Sequence, residues 1–186
     1  MKNTFVKRLG PPFLACGLLL GQTGAPIDYT ADGSMNLPKD YRQWVFLSSG
    51  INMTYGENAG NAANPRFENV FVNPSAHAEF LKTGNWPDKT ALILEIRGSD
   101  SKVSINKDGR VQTNVVAVEA HVKDKSRGGW AFYGFQGGVT TGKLFPKTAN
   151  CYECHEKSGA VDSTFVQFYP TLIDPAKKQG TYHASE

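Results

Sequence analysis

Cys151-Tyr152-Glu153-Cys154-His155 combines residue types and spacing that define a chemistry. Two thiols two residues apart, followed at once by an imidazole, form the C-x-x-C-H pattern of covalent c-type haem attachment. On one helical turn the thiols can add to the vinyl groups on neighbouring edges of a porphyrin. The adjacent imidazole of His155 then reaches the iron as its axial ligand.

Three plainer readings compete. A Cys151–Cys154 disulfide would close a very short loop, gain little chain entropy and leave the following histidine unexplained. A zinc site wants about four ligands, and only three are local, because His77, His121 and His183 are scattered without ligand spacing. A thioredoxin-like pair wants an early C-x-x-C in an alternating strand–helix pattern, whereas this one lies near the C-terminus after a β-rich stretch. The haem reading accounts for all three residues at once, and for one haem.

A second axial ligand is harder to find. No methionine follows His155; the three in the chain are Met1, Met35 and Met53. His183 sits in a polar tail expected to be disordered. Met53, His77 and His121 have no partner motif, and each is expected to be structural or exposed. The expectation is an open iron face, suited to binding or transforming a small molecule rather than to electron relay alone.

The N-terminal residues read as an export signal. Lys2, Lys7 and Arg8 precede the apolar run 13–20, and small and polar residues follow to Ala25. The run is too short to span a bilayer. The expectation is a signal peptide over residues 1–25 and a single mature domain over 26–186, in the periplasm or secreted. Cys16 offers a lipoprotein alternative, but the bulky Leu14 two residues before it suits lipid attachment poorly. Export also agrees with the haem reading, since covalent attachment in bacteria takes place on the periplasmic side.

The 186 residues carry a net charge of +3, and 40% of them are hydrophobic. Three basic residues and no acid lie within residues 1–25, so the remaining body is near neutral. It has no footprint for nucleic acid or an anionic membrane. Nineteen glycines and ten prolines argue against a helix bundle.

The elements that must position the motif are mostly strands. Residues 26–40 read as loop and 41–53 as a strand, with Trp44 and Phe46 on one face and Val45 and Leu47 on the other. Residues 56–65 are turn-like, and 67–72 read as a short strand. Pro74-Ser75 opens a helix over 76–83 that Gly84 stops. Residues 90–97 form a near-continuous apolar run, as in a buried strand. Asp108-Gly109 turns into a long strand over 110–123, and Gly128-Gly129 into another over 130–135. A polar connector then leads to a short helix holding the haem motif, after which Phe165, Phe168 and Tyr169 recur at helical spacing. The fold class expected is α+β, mostly β: one domain with an antiparallel sheet and a C-terminal haem-attachment helix.

Several segments resemble the cytochrome P-460 family, which includes the β-sheet cytochromes c′. They are Asp40-Tyr41-Arg42-Gln43-Trp44, Thr83-Gly84-Asn85-Trp86-Pro87-Asp88, Val118-Glu119-Ala120-His121-Val122-Lys123-Asp124 and Gly129-Trp130-Ala131-Phe132. The strongest are Cys151-Tyr152-Glu153-Cys154-His155-Glu156 and Phe165-Val166-Gln167-Phe168-Tyr169-Pro170. In family order, they cover nearly all of residues 38–173. The resemblance implies an antiparallel β-fold, a homodimer and a five-coordinate c-haem with His155 as proximal ligand.

The resemblance also exposes departures. Family members that oxidise hydroxylamine carry a lysine bonded to the porphyrin edge; aligned with them, this chain has Leu94. Lys89 is five residues away and falls on the opposite face of a regular strand. A distal arginine of those members falls at Glu68. Glu119 matches a family carboxylate that assists proton transfer; its plainer reading is a surface acid at a sheet edge. On strand periodicity, Val115, Ala117 and His121 would share the face of Glu119. Leu94 with Phe67, Phe71, Phe132 and Phe135 would form an apolar wall, each aromatic being equally a core residue.

Two functions follow as expectations. One is a periplasmic mono-haem cytochrome that binds nitric oxide or a similar small ligand on an open face. The other is an oxidoreductase acting on hydroxylamine or a related nitrogen compound, with Glu119 as base and a redox partner to take the electrons. A plain electron carrier is the weaker third.

Overall fold

The structure, a computed structural model, describes residues 27–55, 64–136 and 139–183. The expected signal segment with Cys16 lies outside these residues, as does most of the turn-like stretch 56–65. Among the described residues no helix is long and apolar enough to cross a membrane.

Among the described residues, eight strands form one antiparallel sheet. In chain order they are β1 (Asp28–Tyr29), β2 (Met35–Asn36), β3 (Val45–Ile51), β4 (Phe67–Val72), β5 (Thr90–Asp100), β6 (Val111–Asp124), β7 (Gly129–Gln136) and β8 (Thr141–Leu144). The spatial order is β1-β2-β8-β7-β6-β5-β4-β3, so β3 to β7 run as a meander. The described residues add three α-helices: α1 (Pro74–Thr83), α2 (Asn150–Ser158) and α3 (Pro170–Lys178). The α+β, mostly β single domain expected from the sequence is the fold observed.

Local chemistry sets the boundaries. Pro74 starts α1, where its missing N–H costs nothing. Gly84 ends it at φ 70°, donating its N–H to the Phe80 carbonyl at 2.7 Å. The two faces of the sheet carry separate apolar clusters. Tyr41, Trp44, Ile93, Val122, Tyr133 and Phe135 pack on one face. On the other, Val72, Leu92, Phe80, Trp86, Val166 and Leu172 join the sheet to α1 and α3. Phe80 and Trp86 lie 4.2 Å apart at their ring centroids, and burying a side chain of the Phe80 kind contributes about 2–3 kcal/mol.

Five expectations need correction. Residues 41–43 form a 3-10 turn rather than the start of a strand: the Gln43 and Trp44 N–H groups donate back to the Asp40 and Tyr41 carbonyls at 2.7 and 3.1 Å instead of to a neighbouring strand. The segment 26–40 contributes β1 and β2 at the sheet edge, and the polar connector contributes β8; such short edge ladders have almost no hydrophobic period. The described part of the tail, residues 180–183, is tied down: the His183 N–H donates to the Ala160 carbonyl at 2.8 Å. Val115 does not share the face of Glu119. The β5–β6 register slips between Ile96 and Arg97, so Val115 turns to the first cluster.

Candidate functional site

Cys151, Cys154 and His155 lie within α2, at i, i+3 and i+4, so one stripe of the helix carries all three. Both thiols are free and half-buried, and burial raises the pKa of Cys151. The His155 ring is enclosed by Phe165, His121 and Phe132, with ring centroids at 4.2, 4.6 and 4.7 Å. Its Nδ1 lies 3.0 Å from the Ser163 carbonyl oxygen. A carbonyl oxygen only accepts, so Nδ1 must carry the proton and Nε2 keeps its lone pair. Burial lowers the pKa of His155, against the opposing pull of the Ser163 bond, and the ring stays neutral as a metal ligand should.

The stripe faces a cavity of about 410 Å³ between α2 and the second face of the sheet, a size typical of ligand and cofactor sites. Leu92 and Leu94 of β5, Glu119 and His121 of β6, and Phe132 of β7 line the sheet side. Val70 and Glu68 extend it along β4, and Phe165, Phe168 and Tyr169 close the side after α2. The antiparallel register explains the grouping: Val70 pairs with Leu94, Leu94 with Glu119, and Leu92 with His121. Directly paired residues point to the same face.

Two carboxylates enter this apolar wall. Burial raises the pKa of Glu119. Burial raises that of Glu68 too, followed by the charge of Glu119, with Arg66 opposing. Glu68 and Met53 are shared with a second cavity of about 460 Å³, whose other lining residues include Arg66, Asn52 and Asn64.

The residues present fit a haem. The cavity joins two unpaired thiols and a neutral imidazole with a free Nε2 to a mostly apolar wall. His121 is 7% exposed, and neither ring nitrogen has a protein partner. A buried polar group in that state on a cavity wall marks a place where a bound group or water makes contact.

All six residues singled out in the sequence, Cys151, Cys154, His155, Leu94, Glu119 and Glu68, line this one cavity. Of the four phenylalanines expected with Leu94, only Phe132 does. Phe71 and Phe135 pack with the first cluster, on the opposite face, and Phe67 is not part of the lining. Phe165, Phe168 and Tyr169 serve instead; the sequence shows them next to the motif at helical spacing, which by itself assigns them no place in a pocket. Of the sixth-ligand candidates, Met53 and His121 reach the cavity, while His77 and His183 do not. His121 packs edge-on against His155 itself, so it neighbours that ring. Lys89 is turned away, with its Nζ 2.5 Å from Asp124, which is buried on the far side of the sheet.

A family model described as Cytochrome P460 matches residues 38–166, more than half of the chain. No curated protein matches.

Proposed function

The chain belongs to the cytochrome P460 family, and from that premise we propose that it is an exported mono-haem c-type cytochrome binding nitric oxide or a similar small ligand. In this reading Cys151 and Cys154 hold the haem by thioether bonds and His155 is the proximal ligand. The carrying observation is that these three side chains face Leu94, and not a lysine, across one apolar cavity. When bound, the haem iron supplies an open coordination position and one-electron redox chemistry.

The protein's own residues do the rest. The Ser163 carbonyl fixes the His155 tautomer, and Phe165, His121 and Phe132 hold its ring plane. Leu92, Leu94 and Val70 exclude water and disfavour anions, while a neutral diatomic needs no hydrogen bond to enter. Export to the periplasm, a homodimer and a redox partner belong to the same proposal. The export signal and the family resemblance support it.

The second reading is oxidation of hydroxylamine or a related nitrogen compound. Glu119 favours it, a carboxyl in the same cavity whose pKa burial raises toward neutrality. Glu119 would take the proton that leaves the nitrogen while the electrons pass to an external acceptor.

An optical spectrum of the purified ferrous protein, with and without nitric oxide, tests the proposal. The expected result is an ordinary five-coordinate c-type spectrum and a nitrosyl adduct. A red-shifted band of a cross-linked chromophore, or a six-coordinate spectrum indifferent to nitric oxide, would overturn it.

A further inference from the structure

The carbonyl that meets His155 belongs to a two-residue turn with an unusual backbone. Asp162 and Ser163 have φ of 45° and 56°, both in the left-handed region without a glycine. The turn is closed by a bridge between Val161 and Thr164, with Thr164 N–H donating to the Val161 carbonyl at 2.8 Å. Positive φ at both central residues is the signature of a tight hairpin turn, which Asp tolerates.

Two elements hold this turn. Trp86 Nε1 donates to Thr164 Oγ1 at 2.8 Å. From the sheet, Lys123 Nζ lies 2.6 Å from Asp162 Oδ2, and Trp130 Nε1 donates to Asp162 Oδ1 at 3.2 Å. Lys123 and Trp130 are register partners on β6 and β7, and Lys123 Nζ also donates to the Trp86 carbonyl at 2.7 Å. The Asp162 carboxylate therefore uses both oxygens to tie the turn to the sheet. The next residue along presents its carbonyl to His155 Nδ1 at 3.0 Å.

We propose that Asp162, clamped by Lys123 and Trp130, is a positioning residue that sets the hydrogen bond between the Ser163 carbonyl and His155, and through it the donor strength of that imidazole toward iron. The inference rests on the reading in which His155 is the proximal ligand. An imidazole whose N–H is firmly hydrogen-bonded is a stronger donor and favours ferric over ferrous iron. Loosening the turn weakens the bond, so the iron–imidazole bond softens and the midpoint potential rises.

The test uses holoprotein carrying Asp162→Gly, Asp162→Asn or Lys123→Met. Glycine keeps the positive φ and removes the clamp, asparagine keeps the φ and one acceptor oxygen, and methionine removes the partner charge. Resonance Raman of the ferrous protein reads the iron–histidine stretch, and a redox titration reads the potential. Asp162→Gly and Lys123→Met are expected to lower the stretch and raise the potential, with Asp162→Asn nearest the wild type. If Asp162→Gly does not fold, Lys123→Met decides alone. A loss of melting temperature with the stretch and potential unchanged would overturn the proposal. A ferrous wild-type protein without an iron–histidine stretch would instead overturn the five-coordinate reading with His155 as proximal ligand beneath it.

Discussion

Leu94 and Glu119 are direct cross-strand partners on β5 and β6, and both line the cavity that contains Cys151, Cys154 and His155. An aliphatic side chain thus stands beside a half-buried acid, at the position that the sequence resemblance aligns with the cross-linking lysine of hydroxylamine-oxidising members. The nearest lysine in sequence, Lys89, is held to Asp124 on the other side of the sheet.

No lysine–porphyrin bond is therefore expected. Tryptic mapping of the holoprotein should find haem on the peptide containing Cys151 and Cys154 and on no lysine peptide. A haem-linked Lys89 peptide would refute the placement of Leu94 and reverse the ranking of the two functions.

Attachment through both thiols predicts that denatured protein keeps the haem mass. The double variant Cys151→Ala, Cys154→Ala should lose it completely on intact-mass analysis. Wild-type haem that extracts into acidified organic solvent would contradict covalent attachment.

Glu119→Gln separates binding from oxidation. The amide keeps the shape of the side chain but cannot take a proton, so haem content and nitric oxide binding should be retained. Any hydroxylamine oxidation should fall by about a hundredfold or more, the usual contribution of a general base. Removing the Glu119 charge should also bring the pKa of Glu68 down, because that charge adds to burial in raising it. Brisk oxidation by the variant would exclude Glu119 as the base.

Asp124 gives the fold an acid-sensitive contact away from the cavity. Burial alone would raise its pKa, but hydrogen bonds from Lys89, Ser126 and Tyr29, together with the Lys89 charge, bring it from 3.8 to about 2. A carboxyl depressed on folding contributes stability above its unfolded pKa and loses it as pH falls through the folded value. The contribution, about 1–2 kcal/mol after allowance for the half-exposed lysine, should be complete above about pH 5, be mostly lost by about pH 2 and vanish near pH 1. Denaturant titrations of wild type and Asp124→Asn should converge over that window. A gap that stays constant down to pH 2 would argue against this assignment.

Gly159 sits where the end of α2 meets the His155-binding turn. A Cβ there would fall 2.6 Å from the His155 carbonyl oxygen, 2.7 Å from Thr164 N and 2.8 Å from Ser163 C. All three are backbone atoms that cannot swing aside, so Gly159→Ala should destabilise the protein by about 1–3 kcal/mol. It should also disturb the haem absorption spectrum by displacing Ser163. An unchanged melting temperature would show that the turn can yield.

The sequence by itself determined the motif and the sheet. C-x-x-C-H is a local pattern, because thiols and imidazole must share one helical turn, and it is legible wherever it occurs. The apolar run along β5 and the proline and glycine that bound α1 are equally local, since each follows from a dihedral preference or a two-residue period. What faces the motif is not local. Phe71 and Phe135 have the right chemistry for a pocket wall but lie on the other face of the sheet, while Phe165 and Phe168 come to the cavity through a turn that no periodicity announces. One register slip beside Arg97 was enough to turn Val115 away from Glu119. The turn that brings Ser163 to His155 is tied at Asp162 to Lys123 and Trp130, 39 and 32 residues earlier in the chain. Such contacts are decided by strand register and by backbone at positive φ, and tertiary packing alone fixes both.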